Sequence, residues 1–81
     1  MKKYWVEKVE YPYGYEGMAD CIPYGDNSYE DKENALNDFM CLVQEIKDAN
    51  DKTSCASLYE VEYDYDTRIM FYDDGQIINE E

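Results

Sequence analysis

Twenty acidic residues stand against seven basic ones in a chain of 81 residues without histidine, which gives a formal net charge of −13. This charge argues against direct binding to nucleic acid or to an anionic membrane, because both require lysine and arginine. The 44% of apolar residues and the ten tyrosines exclude a disordered acidic tail, so we expect one folded domain spanning residues 1–81.

The sequence also bears on the compartment. No apolar stretch follows Lys2 and Lys3 as in a secretory signal, and no segment approaches the ~18 apolar residues of a membrane span. The three cysteines, Cys21, Cys41 and Cys55, are odd in number and widely spaced, which is typical of thiols rather than of a disulfide framework or a zinc site. We therefore expect a cytoplasmic protein.

The first predicted strand covers Lys3–Tyr11, which is rich in aromatic and β-branched residues. Its alternation leaves open whether the face of Trp5 or the face of Tyr4 is buried. Residues 12–28 hold both prolines and three of the four glycines, which predicts mainly loop. Because so long a loop is unusual in a small domain, we expect a short returning strand at Met18–Ile22.

An amphipathic helix is predicted over Tyr29–Ala49. Ser28 followed by Asp31 resembles a capping box, and Asn50 can end the helix in the left-handed conformation. The helical spacing places Cys41 on the polar side. It also predicts one apolar face made of Ala35, Leu36, Phe39, Met40, Leu42, Val43 and Ile46.

A β-meander is predicted after the helix. Ser57–Asp66 alternates between tyrosine or valine and mostly acidic residues, which predicts a strand with one apolar face. We expect the face that carries Tyr59, Val61, Tyr63 and Tyr65 to lie under the helix, which leaves the carboxylates open to solvent or to a partner. The predicted fold class is therefore α+β, a small antiparallel sheet of three to five strands on one helix in the order β(β)αβββ.

The last two strands are predicted to form a hairpin. Arg68–Tyr72 reads as a strand, and Asp74-Gly75 between apolar runs is the strongest short signal for a tight turn. This register sets Phe71 opposite Ile78 and Ile69 opposite Glu80.

Carboxylates form the candidate binding surface. The predicted acidic ladder, defined as Glu60, Glu62, Asp64 and Asp66, repeats every ~6.6 Å along one strand face, about half the linear density of phosphates on one DNA strand. The alternative is a strand face kept polar for solubility and edge protection, although solubility needs a net charge of only about 2–8.

A second acidic cluster lies around the start of the predicted helix. Complementation of the helix dipole explains carboxylates there without a partner, but not those that continue along the helix. A surface built from both clusters is predicted to bind the partner. Its residues are Glu30, Asp31, Glu33, Asp38, Glu45, Glu60, Glu62, Asp64, Asp66, Asp73 and Asp74.

Tyrosines offer a further contact surface. Tyr11, Tyr13, Tyr15 and Tyr24 lie in or beside the glycine- and proline-rich segment and could stack on arginines of a partner. The alternative is that these rings cover the open edge of a small core. No metal site or cofactor is expected, and without histidine or a glycine-rich phosphate loop we expect no catalysis.

In size, charge, tyrosine content and α+β build, the chain resembles the small acidic inhibitors of phages and mobile elements, which include anti-CRISPR proteins and other DNA mimics. The resemblance implies a non-catalytic inhibitor that occludes the basic nucleic-acid channel of a target such as a CRISPR effector or a host nuclease. The alternative is a phage or bacterial protein-interaction module, self-assembling or not, whose acidity is mainly solubilising.

Overall fold

The computed structural model of the chain describes residues 2–11 and 19–81, apart from the side chains of residues 26–28. Its elements are β1 (Lys3–Glu10), β2 (Asp20–Tyr29), α1 (Lys32–Asp48), β3 (Ser54–Glu62), β4 (Tyr65–Asp73) and β5 (Gln76–Asn79). The strands form one antiparallel sheet in the spatial order β2-β1-β3-β4-β5. Because α1 packs on β1, β2 and β3 of this sheet, the predicted α+β class is confirmed.

The helix begins later than the sequence predicts. Tyr29 is the last residue of β2, and Asp31 is the N-cap, whose carboxylate accepts a hydrogen bond from the Glu33 backbone N–H at 3.0 Å. The prediction of Ser28 as the cap is therefore wrong, because this residue belongs to the preceding strand. The helix ends as predicted, with Asn50 in the left-handed region at φ 51°.

The core lies between α1 and one face of the sheet. Its members share near-complete burial: Tyr4, Val6, Ala35, Phe39, Leu42, Val43, Ile46, Ala56, Leu58, Ile69 and Tyr72. Met40 was predicted on this apolar face but is 44% exposed. Its neighbour Phe39 points into the core, and a helix that packs on one side only leaves the margin of its apolar arc in solvent. Cys41 is exposed, as predicted.

The register of β1 with β3 decides which sheet face is covered. Tyr4 and Val6 are buried, and Val6 pairs with Leu58, so Leu58 lies on the helix side. Tyr59 lies on the opposite, open face, where its ring stacks on Trp5 with centroids 4.6 Å apart. The prediction that the face of Tyr59 lies under the helix is therefore wrong.

A strand exists where one was expected at Met18–Ile22, but it is the longer β2, which begins at Asp20. Residues 20–28 of the predicted loop are therefore strand. Met18 lies outside the described residues. β2 is an edge strand, which explains how it accommodates Pro23, a residue without an N–H to donate. Gly25 is required at φ 73°, and any side chain there would collide with the carboxylate of Asp38.

The hairpin between β4 and β5 is confirmed. Asp74 and Gly75 both have positive φ, 49° and 80°, as a type I′ turn requires. Phe71 pairs with Ile78, and the Glu80 N–H donates to the Ile69 carbonyl at 2.8 Å. The predicted register is therefore correct in both places.

Asp51 organises the connection between α1 and β3. Its carboxylate accepts hydrogen bonds from the Ser54 hydroxyl at 2.6 Å and from the Thr53 backbone N–H at 2.8 Å. These bonds, that of Ser54 first, hold the pKa of Asp51 below its usual value. The charged carboxylate therefore stabilises the fold above the ordinary pKa of aspartate, and this stabilisation is lost as the pH falls through the lowered value.

We expect Asp51→Asn to lower the free energy of unfolding by about 1–2 kcal/mol at neutral pH. The difference from the parent chain should vanish as acid protonates Asp51, since a protonated carboxyl and an amide are both neutral. Urea unfolding at a series of pH values measures this. A difference that stays constant into acid would contradict the assignment, and Asp20→Asn, at an exposed position, serves as the control.

Candidate functional site

The predicted acidic ladder is not one wall. β3 ends at Glu62, the chain turns at Tyr63 and Asp64, and β4 begins at Tyr65. Glu60 and Glu62 have the parity of the helix-side face, whereas Asp66 pairs with Val61 and therefore lies on the opposite face. The prediction of a single strand over Ser57–Asp66 is wrong, because its alternation continues unchanged through a two-residue turn.

The antiparallel topology brings the two predicted acidic clusters to one end of the sheet. Tyr4, near the start of β1, pairs with Tyr29 at the end of β2 and with Glu60 near the end of β3. The start of α1 and the β3–β4 turn therefore lie at this end of the sheet. The acids placed there are Glu30, Asp31, Glu33, Glu60, Glu62, Asp64 and Asp66. Asp73 and Asp74 lie at the opposite end.

Several predicted contact residues have structural partners. Asp31 caps α1, and the Cys55 thiol donates to Asp73 at 3.4 Å. Glu60 forms a salt bridge with Lys2 at 3.2 Å, and the hydrogen bond from the ammonium raises the pKa of Lys2. These three carboxylates are therefore explained by the fold itself.

Asp38 and Glu45 attach the edge strand β2 to the helix. The Tyr29 hydroxyl donates to Asp38. The Tyr24 hydroxyl is hydrogen-bonded to Glu45, and burial, followed by this bond, raises the pKa of Tyr24. Tyr24 lies in β2 rather than in a loop and packs against the core, which favours the alternative that these rings cover the open edge of the core. Tyr13 and Tyr15 lie outside the described residues.

We expect Tyr24→Phe and Tyr29→Phe each to lower the free energy of unfolding by about 1 kcal/mol, because each leaves a carboxylate without its hydroxyl donor. Urea unfolding of both variants measures this loss. Tyr63→Phe is the matched control, since its ring is exposed. Equal, negligible effects of all three substitutions would contradict the role of the two hydroxyls.

The most exposed aromatic residues of the described chain lie on the β3–β4 turn. The acidic tip, defined as residues 62–66, carries the carboxylates of Glu62, Asp64 and Asp66, interleaved with Tyr63 and Tyr65. The two tyrosines are 85% and 77% exposed. Among the described residues, no basic group lies within salt-bridge distance of the three carboxylates. Lys2, whose pKa is raised first by Glu60, also interacts with Glu62 at longer range. The tip therefore presents carboxylates without salt bridges and bare aromatic surface together.

Tyr63 also has an unusual backbone conformation. Its φ of 57° lies in the left-handed region, which bulky residues rarely occupy and which asparagine or glycine fits better. Because the Tyr63 ring is exposed, its burial does not offset this backbone strain. A strained, exposed tyrosine between carboxylates is typical of a residue kept for contact rather than for stability.

The open face of the sheet carries the single arginine. Arg68 lies over the Phe71 ring at 4.1 Å and donates to both carboxylate oxygens of Glu80, with Nη2 3.1 Å from Oε2. These hydrogen bonds lower the pKa of Glu80. Arg68 is therefore satisfied within the chain, which shows how a ring and a carboxylate together hold a guanidinium.

The sequence predicts the acids of the tip as contact residues but does not predict its exposed tyrosines. The alternation of tyrosines with acids predicts a buried face for Tyr63 and Tyr65, because this pattern resembles a half-buried strand. A turn signal would have separated them, but Tyr63-Asp64 contains no glycine, asparagine or proline. The exposed pair could be recognised only after the turn was located.

The described residues contain no group of three potential metal ligands close enough to hold one ion, and no described helix has the length and apolar character needed to cross a bilayer. The chain matches no family model, no curated protein and no solved structure in the three comparisons with known proteins.

Proposed function

We propose that this protein is a non-catalytic acidic inhibitor that binds the positively charged nucleic-acid-binding surface of a target protein, such as a CRISPR effector or a host nuclease. The observation that carries the proposal is the acidic tip, where three carboxylates without a salt bridge among the described residues lie beside two exposed tyrosines. The target would be met in the cytoplasm of the host cell.

The distribution of ion pairs supports this choice of surface. Among the described residues, four basic side chains form salt bridges with carboxylates elsewhere, in the pairs Lys2–Glu60, Lys8–Glu10, Lys32–Glu81 and Arg68–Glu80. The described acids of the tip form no salt bridge, and only Glu62 interacts with a basic group at longer range, that of Lys2. A surface with an excess of negative charge is complementary to a cationic groove. The net charge of −13 would also speed the association of the chain with a basic target.

In the proposed mechanism, each tip carboxylate replaces a phosphate opposite a lysine or arginine of the target. Glu62 and Asp66 lie on opposite faces of the sheet and Asp64 lies in the turn between them, so the three carboxylates point in different directions and would meet different cations rather than one. Tyr63 and Tyr65 add stacking on guanidinium groups. The complex would exclude nucleic acid by occupying its site.

A pull-down from a lysate of the native host, with the full chain as bait, tests the proposal. We expect a retained protein that is released by heparin or by duplex DNA, and whose retention falls steeply as the salt concentration rises. A retained protein that withstands both heparin and salt would contradict mimicry. It would favour the alternative, an interaction module whose acidity mainly confers solubility.

A further inference from the structure

The outer edge of β5 is an unguarded strand edge. β5 is the last strand of the sheet and no described strand lies beyond it, while α1 packs on the other half of the sheet. Its four residues, Gln76–Asn79, include neither a charge nor a proline. The opposite edge, β2, contains Pro23 and Gly25 and is attached to the helix through its tyrosine hydroxyls. Of the two edge strands that the structure describes, only β5 offers a regular edge for pairing.

The hydrogen-bonding groups on this edge can be assigned from the hairpin register. The Glu80 N–H donates inward to Ile69, and backbone groups alternate in direction along an antiparallel strand. Gln76 and Ile78 therefore pair with β4. The N–H and C=O groups of Ile77 and Asn79 point away from the sheet and can accept a further strand.

Apolar side chains flank these groups on both faces of the sheet. Ile77 is 38% exposed and pairs with Tyr72, on the helix side. Ile78 is 47% exposed and pairs with Phe71, on the open face. An added strand would therefore cover one isoleucine above the sheet and one below it.

Charge identifies the kind of strand that fits. The uncharged segment is bracketed by Asp73 and Asp74 before it and by Glu80 and Glu81 after it. Glu80 and Glu81 are paired with Arg68 and Lys32, so it is the net charge of −13 that favours a basic strand at this edge. A second copy of the chain, itself at −13, would be repelled, and four residues bury far less than the roughly 1,000 Å² of a stable dimer.

We propose that β5 accepts, by strand addition, an extended segment of a partner protein with β-branched residues at its centre and a net positive charge. Backbone hydrogen bonds to Ile77 and Asn79 supply the pairing, and the net charge of −13 of the chain favours a basic segment. This docking edge is distinct from the acidic tip and does not depend on the function proposed for it.

The test uses the full ¹⁵N-labelled chain and three synthetic nonapeptides. The probe is Lys-Lys-Thr-Val-Thr-Val-Thr-Lys-Lys. One control replaces its lysines by glutamate, and the other replaces its central five residues by Gly-Pro-Gly-Pro-Gly, which keeps the charge but cannot form a strand. Amide hydrogen exchange and chemical-shift titration report where each peptide binds.

We expect the probe to slow amide exchange at Ile77 and Asn79 at least fivefold, while Gln76 and Ile78 change little because their N–H groups already bond to β4. Neither control peptide should have this effect. Ile77→Pro, which removes an outward N–H, should weaken probe binding at least tenfold, whereas Ile77→Thr, which retains it, should weaken it far less.

Three results would overturn the proposal. These are unchanged exchange at Ile77 and Asn79 with saturating probe, an equal effect of the glycine–proline control, or protection of both amides without any peptide together with a doubled molecular mass. The last result would identify a second copy as the occupant. Amide exchange in the unsubstituted chain tests strand addition at β5 even if Ile77→Pro fails to fold. None of these results bears on the acidic tip.

Discussion

Reversal of the three charges at the acidic tip, in the variant Glu62→Lys/Asp64→Lys/Asp66→Lys, is expected to weaken binding to the proposed basic target by at least about 100-fold. Each substitution replaces an attraction by a repulsion, and three ion pairs worth about 1 kcal/mol each correspond to a factor of roughly 150. Because the side chains are exposed, the variant should fold like the parent. Titration of the target, with circular dichroism as the check on folding, measures the effect.

The matched control is Asp20→Lys/Asp48→Lys/Asp74→Lys. It changes the net charge by the same amount, but its three positions are exposed and lie at the end of the molecule opposite the tip. We expect the control to slow association, since long-range steering depends on total charge, while dissociation stays close to that of the parent. Equal loss of affinity in the two variants would show that only net charge matters and that the tip is not the contact.

The largest effect on stability is expected for Phe39→Ala, which should lower the free energy of unfolding by about 3–5 kcal/mol. Phe39 is fully buried at the centre of the single layer between helix and sheet, where Leu42, Val6 and Leu58 complete the core. A chain of this length has about 4–12 kcal/mol of stability in total. The substitution should therefore leave the domain marginally folded or unfolded at 37 °C, as thermal and urea unfolding would show.

Met40→Ala is the control for this experiment. The two residues are neighbours on the same helix and both appear apolar in sequence, yet Met40 is 44% exposed. We expect its removal to change the free energy of unfolding by less than about 1 kcal/mol, the range usual for surface substitutions. Similar losses at both positions would mean that the helix is rotated about its axis relative to the arrangement described above.

The elements with strong local signals were predictable from sequence. The helix follows from its apolar periodicity, and its end follows from Asn50. The last hairpin follows from Asp74-Gly75, because few residue pairs adopt two consecutive positive φ values. In each case a short-range steric or periodic constraint determines the structure, so distant residues are not needed for the prediction.

The prediction that the acidic ladder lies on one strand was wrong because no local signal marks the turn that divides it. A two-residue turn preserves the alternation of side chains, so Glu62, Asp64 and Asp66 keep their spacing in sequence while they change strand and face. The turn at Tyr63 is imposed by tertiary structure against local preference. Sequence pattern alone therefore identified the acidic residues but could not determine their geometry.

The face of the sheet that packs on the helix could not be predicted from the sequence either. β3 is buried on both sides at Cys55, Ala56, Ser57 and Leu58, so no alternation distinguishes its faces there. The aromatic alternation that begins at Tyr59 suggested a buried surface, but that ring instead stacks on Trp5 on the open face. Only the pairing of β1 with β3, a long-range property, decides between the two orientations.

Whether the acidic protein and nucleic acid exclude each other on the target is the most direct measurement. Labelled duplex DNA is bound to the retained target, the full chain is titrated in, and both the DNA anisotropy and the mass of the complex are followed. We expect complete, stoichiometric displacement of DNA by the parent chain and little displacement by the charge-reversed tip. A ternary complex of target, DNA and acidic protein would contradict the proposal that this tip takes the place of phosphate.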